Sequence, residues 1–243
     1  MSELIFPSGI TWEQNYLTGG DFMPENLSAI YNNGWAYCKN GVIDNCSDTS
    51  NSTSFKEIFT YCSLLCMGPM IDTSNATNTQ YMFNSCTRLY TIPTYNFENV
   101  TDATYMFQNC SGLVKLPDLN LKKITTVQYM FSSCNNLCSI GVIDCDSVTG
   151  IASMFGYSSN SAIATIGGFR NLGAKSSLSG TTSSFMENMP NLTRQSLLNV
   201  LNLLYDRASA GYSVVTIKLH ANHHAKLTDE DKAIATNKGW ALS

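Results

Sequence analysis

The apolar positions of this chain recur with a fixed period. Ile58-Phe59, Met82-Phe83, Met106-Phe107, Met130-Phe131 and Met154-Phe155 follow one another at intervals of 24 residues. Three residues after each aromatic stand Cys62, Cys86, Cys110 and Cys134, with Ser158 in the fifth copy. Three further on come Leu65, Leu89, Leu113 and Leu137. A degenerate copy, Phe185 to Leu192, lies 31 residues beyond Met154, one period plus a seven-residue insertion. The Gly/Ser-rich "GAKSSLSG" at 173–180 can hold that insertion as a loop. Self-similarity at such a period is the mark of stacked supersecondary units, none of which buries its apolar face alone.

One unit shows the expected elements. "LVKLPDLNL" places Leu113, Leu116, Leu119 and Leu121 in a spacing that ends in period-two alternation, which suits a short strand. "KKITTVQYMFSSC" spaces Ile124, Val127, Met130, Phe131 and Cys134 as one face of a helix of about three turns, with Thr125 as its N-cap. Stacking would set the strands side by side about 4.8 Å apart.

The repeated text resembles a known family, the BspA-type bacterial leucine-rich repeats. It is closest to the subgroup reading roughly N-V-T-x-M-x-x-M-F-x-x-C-x-x-L, as in "NVTDATYMFQNCSGLVKL" at 99–116 and "KITTVQYMFSSCNNLCSI" at 123–140. The resemblance covers about residues 51–192. It implies an α/β repeat fold: a leucine-rich-repeat solenoid with short parallel strands on one face, short helices on the other and caps at both ends. It also implies adhesion or recognition rather than catalysis, since such repeats occur in surface proteins of host-associated bacteria and in proteins of their phages.

The ends depart from the repeat. Residues 1–50 hold Trp12, Tyr16, Phe22, Tyr31, Trp35 and Tyr37 between Gly- and Asn-rich turns and read as an N-terminal cap. Residues 193–243 read as a helix–strand–helix cap. "LTRQSLLNVLNLLYDRA" is an amphipathic helix behind Thr193, "SVVTIKLH" is a strand, and "LTDEDKAIATNKGWAL" is a helix. Thr228 is the expected N-cap of that last helix, three acidic residues sit in its first turn, Gly239 stops it, and Trp240 folds back.

Charge narrows the function. Only 13% of the residues are charged and the net charge is −4, which does not suit a nucleic-acid partner. No apolar run approaches the length of a membrane-spanning helix, so membrane insertion is not expected. The opening "MSELIFPSGITWEQ" has no apolar core of a secretory signal. The expected setting is therefore the cytoplasm or a virion, or the cell surface by another export route.

Candidate chemistry is sparse. The four cysteines in register would stand too far apart for disulfide geometry and read as buried thiols, and only Cys38 and Cys46 are a candidate disulfide. His220, His223 and His224, in "HANHH", are candidate metal ligands or a solvated cap turn. The seven Asn-x-Ser/Thr sequons, among them Asn75, Asn99 and Asn191, read as turn chemistry repeated with the unit. No G-x-S-x-G, H-E-x-x-H or phosphate loop occurs, so neither catalysis nor a cofactor is expected. Two outward ladders remain as candidate binding residues. Asp72, Asn96, Asn120 and Asp144 either bond to one another or form a polar strip. Tyr81, Tyr105 and Tyr129 either pack between units or form an aromatic strip. The expected partner is a protein or glycan on a cell surface, in a virion-associated protein or a bacterial adhesin. Assembly with copies of itself as a scaffold is the alternative.

Overall fold

The computed structural model describes residues 50–63, 65–151, 154–156, 162–178, 181–182 and 186–243. Nearly all of the expected N-terminal cap, with Cys38 and Cys46, lies outside the described residues, as do Ser158 and Phe185.

Consecutive 24-residue units are joined by parallel pairing at three places. The first is a threonine column. The amides of Thr77, Thr101, Thr125 and Thr149 donate to the carbonyls of Thr53, Thr77, Thr101 and Thr125, at 2.8–3.3 Å. Each Thr Oγ1 donates to the same carbonyl, at 3.0–3.3 Å. Beside them Ser54, Asn78, Asp102, Thr126 and Gly150 form a run of parallel bridges. The second place is a strand edge. β1 (Lys115–Leu116), β2 (Ser139–Asp144) and β3 (Thr165–Arg170) form a parallel sheet in that order, with Lys115 opposite Ser139 and Ser139 opposite Thr165. An isolated Met67–Thr91 bridge pairs in the same sense.

The third place lies where the sequence predicts helices, over Ile124–Cys134 and its copies. The structure has successive turns there, not a helix. Alternate amides leave the unit altogether. Tyr81, Phe83 and Ser85 donate to Thr104, Met106 and Gln108 of the next unit, and Tyr105, Phe107 and Asn109 donate to Gln128, Met130 and Ser132. The amides between them close tight turns, Met82 onto Thr79, Asn84 onto Tyr81 and Cys86 onto Phe83. An α-helix needs every amide for its own i−4 carbonyl, so it cannot form. Turns closed three residues back place side chains on one side every third residue, which explains the spacing that mimics a helix. They also require left-handed backbone at two positions per unit: Glu57 and Tyr61, Tyr81 and Ser85, Tyr105 and Asn109, Tyr129 and Ser133 all have φ between 53° and 62°. Thr125 belongs to the threonine column and caps nothing.

The apolar set of every unit is buried in one continuous core. Phe59, Phe83, Phe107 and Phe131 stack with centroids 5.2–5.8 Å apart. Full burial of each such ring is worth about 1.5–3 kcal/mol against exposure.

The C-terminal end closes the stack. α1 (Arg194–Leu203), capped by Thr193 as expected, lies against β3 and stands in for a missing strand. Ser196 Oγ accepts from the Ile166 amide at 3.1 Å, and Asn199 Nδ2 donates to the Ile166 carbonyl at 3.1 Å. The helix ends at Leu203, earlier than its apolar pattern suggests. β4 (Thr181–Thr182), β5 (Val215–Ile217) and β6 (Trp240–Leu242) then form a second parallel sheet. Between β5 and β6 come α2 (Ala221–His224) and α3 (Asp229–Asn237). Gly239 has a φ of 78° after α3, and Trp240 is buried, both as the sequence predicts.

The insertion at 173–178 is tied down by a residue that the sequence pattern does not single out. Arg207 is fully buried, and its guanidinium donates to the carbonyls of Gly173, Lys175, Leu178 and Ser213 at 2.8–3.1 Å. It also lies over the rings of Tyr212 and Trp240.

Candidate functional site

The tyrosine ladder is both packed and accessible. Tyr81 and Tyr105 stack at 4.8 Å and 13°, and Tyr105 and Tyr129 at 5.2 Å and 7°. All three rings are half-buried. Both faces of Tyr105 are covered by its neighbours, so a sugar ring cannot lie flat on it; the ladder presents ring edges and phenol hydroxyls. Burial raises the Tyr81 hydroxyl above the ordinary phenol range, which keeps it a neutral donor. Half-buried Gln80 and Thr104 and exposed Gln128 run along one side. Asn84, Gln108 and Ser132 run along the other, with Asn84 Nδ2 donating to Gln108 Oε1 at 2.9 Å. One carboxylate lies beside the strip, Asp102, which accepts from Gln80 Nε2 and from the Thr104 amide, and the Tyr81 and Tyr105 amides are held by the next unit.

The Asn/Asp ladder is neither of the things expected of it. Its first two members cap local turns: Asp72 Oδ1 accepts from the Ser74 amide at 2.8 Å and Asn96 Oδ1 from the Glu98 amide at 3.1 Å, while Asn120 Oδ1 is buried with no hydrogen-bond partner. Burial grows along the series. Asp72 and Asn96 are exposed, Asn120 is half-buried, and Asp144 is buried and paired with Arg170 at 2.7 Å. A continuous polar strip is therefore not formed. The local amide contacts explain Asp72 and Asn96 by turn chemistry.

The repeated thiols are packing groups with one polar contact each. Cys86, Cys110 and Cys134 are fully buried, and each thiol donates to the carbonyl of the phenylalanine 27 residues before it, at 2.9–3.0 Å. Burial pushes Cys86 and Cys110 well above the ordinary thiol range and Cys134 up to about 12. A thiolate is the reactive form, so these groups are poor nucleophiles and poor metal ligands. Cys62, Cys138 and Cys145 are thiols as well, outside any disulfide.

The histidines form a solvated turn only in part: His224 is exposed and His220 half-buried. His223 is fully buried, with Nε2 2.8 Å from the Met189 carbonyl and Nδ1 3.3 Å from the His220 amide. His220 Nδ1 takes the Asn222 amide at 3.1 Å. Three of the six ring nitrogens are thus engaged by backbone. Among the described residues no group of three or more His, Cys, Asp or Glu is placed to hold a metal.

The sequons Asn75 and Asn99 serve the stack. Their Nδ2 groups donate to the carbonyls of Ser50 and Ser74, at 2.6 and 3.0 Å. A surface that the repeat pattern does not announce lies on the strand side, where Met67, Met70 and Tyr90 are 37%, 56% and 47% exposed. Two units further on, the positions equivalent to Met67 and Met70 are Lys115 and Asp118, both exposed.

Searches of curated proteins and of solved structures return no match. The family described as "Mycoplasma protein of unknown function, DUF285" matches residues 25–138 and 111–169. These overlapping matches take in more than half of the chain, which therefore belongs to DUF285, a family that includes BspA-like repeat proteins.

Proposed function

We propose that the chain is a noncatalytic recognition module built on a leucine-rich-repeat-type solenoid, with the tyrosine strip as its reading surface. The observation that carries this is the in-register line of Tyr81, Tyr105 and Tyr129, half-buried, stacked and edged by amides and hydroxyls. Stacking fixes the rings before any partner arrives, so little side-chain freedom is lost on binding. The edges carry few charges, with the Asp102 carboxylate held by Gln80, which favours short-range hydrogen bonding over long-range steering. A partner suited to such a line is a glycan or protein on a cell surface, met by hydroxyl edges and not by flat ring stacking. The setting is a phage or prophage virion protein, such as a tail or fibre component, or alternatively a bacterial adhesin. A self-assembling scaffold is the remaining reading.

The test uses arrays of bacterial-surface and mucin glycans and of surface proteins, probed with the reduced chain and with a Tyr81→Phe/Tyr105→Phe/Tyr129→Phe variant. That variant keeps the stack and removes only the hydroxyls. A hit weakened tenfold or more in the variant supports the strip. A hit equal in both moves the contact elsewhere, Met67, Met70 and Tyr90 being the next candidates. No hit at all favours the scaffold.

A further inference from the structure

The "HANHH" segment plays no part in the tyrosine strip, yet His220 and His223 are hydrogen-bonded into the fold. α2 is a single turn held at its start by imidazoles: His220 Nδ1 accepts from the Asn222 amide, and His223 Nδ1 accepts from the His220 amide. Because Nδ1 of His223 is an acceptor, its Nε2 carries the proton and donates to the Met189 carbonyl at 2.8 Å. The ring therefore ties α2 to the last turns of the repeat region. Lys226 adds a second tie, with Nζ 2.6 Å from the Leu192 carbonyl.

Both imidazoles can accept an amide only while neutral. Eight residues on, α3 has the same reciprocal arrangement made from different groups: Thr228 Oγ1 takes the Asp231 amide, and Asp231 Oδ2 takes the Thr228 amide at 2.9 Å. A hydroxyl and an ionised carboxylate hold that contact down to acid pH. An imidazole loses it once its ring is protonated.

We propose that the His220–His223 pair is an acid-released latch: protonation removes the Nδ1 acceptors of both rings and puts charge at the buried His223, so residues 219–227 leave their places beside Met189 and Leu192 and the C-terminal end of the stack opens. The surroundings give the sign. Burial holds the folded His223 below the ordinary histidine value, against the Met189 contact, and the charge of nearby Lys226 acts in the same direction. Of the charged groups on neighbouring segments, Glu187 is paired with Lys218, and Arg194 with Asp231. A released histidine takes its proton near pH 6.5. The closed form is thus fully favoured above that value and loses its advantage as the pH falls through the lower folded one. Release uncovers Met189, Leu192, Leu219 and Leu227, all buried when the latch is shut.

Hydrogen exchange of the full chain at pH 7.5 and 5.0, corrected for intrinsic rates, tests this. Amides of 186–192 and 217–227 are expected to lose at least tenfold in protection at pH 5.0, with 100–150 unchanged. A His220→Ser/His223→Gln variant, whose caps do not titrate in this window, is expected to keep its protection at both pH values. Should that variant fail to fold at pH 7.5, His220→Asn takes its place and is expected to shrink the pH effect. Unchanged protection in the native chain at pH 5.0, or an equal loss in the non-titrating variant, overturns the latch.

Discussion

Tyr61 and Tyr105 share one left-handed backbone conformation, with φ of 62° and 60°, and differ in what surrounds the ring. Such a conformation costs an L-residue about 1–2 kcal/mol. Tyr61 is 64% exposed, so little holds it there. Tyr61→Gly removes the strain and gives back part of the gain as unfolded-chain entropy, about 0.5–1 kcal/mol. A net stabilisation of about 0.5–1 kcal/mol is expected from these two terms. Tyr105→Gly relieves the same strain but loses stacking on both faces, about 0.5–1.5 kcal/mol each, along with half-buried ring area. It is expected to destabilise by about 1–3 kcal/mol. Urea midpoints of the two variants decide the matter: shifts of the same sign would mean that the stack contributes nothing. At this scale the sequence shows the period of the tyrosines and hides their backbone. Tyrosine is not a residue one places at positive φ, and among the described repeat positions with this backbone only Asn109, in the register of Tyr61, Ser85 and Ser133, has a side chain that hints at it.

Whole elements were legible where their signals are local. Thr193, Thr228 and Gly239 mark helix ends by their own chemistry, and the structure keeps all three. The helices expected behind each unit failed for a non-local reason. The three-residue apolar spacing is equally compatible with turns, and the choice falls to turns because alternate amides bond to the next unit. Likewise nothing in "LTRQSLLNVLNL" announces that Ser196 and Asn199 replace a strand along β3. Covering that edge blocks the addition of further strands. Ser196→Ala would leave the buried Ile166 amide without its partner, and a buried donor orphaned in this way costs about 1–3 kcal/mol. Gln195→Ala, one residue away and exposed, removes only a bond to Asn199 and should stay within about 0.5 kcal/mol. Thermal unfolding of both is the check; equal losses would mean that α1 packs on β3 by its apolar face alone.

The unit of the whole molecule is the 24-residue period itself. The columns of contacts, from the Thr53–Thr125 carbonyls to the Phe59–Phe131 rings, advance by that number. Deleting residues 101–124 would bring Thr77 beside Thr125, Tyr81 beside Tyr129 and Phe83 beside Phe131, the same residue types that each now meets. The shortened chain is expected to fold cooperatively, with a denaturant m-value lower by about a tenth, in proportion to the residues lost. Deleting 101–112 instead sets apolar columns against polar ones, and cooperative folding should disappear. Guanidinium unfolding followed by circular dichroism separates the cases. In a fold with one central, non-repeating core the two deletions would be comparably ruinous, since either removes residues whose contacts have no substitutes. If the 24-residue deletion unfolds the chain as thoroughly as the shorter one, the units are not interchangeable and the solenoid reading falls. If it folds, stability is a sum over units and their interfaces, and the C-terminal cap, not any one repeat, becomes the place where opening begins.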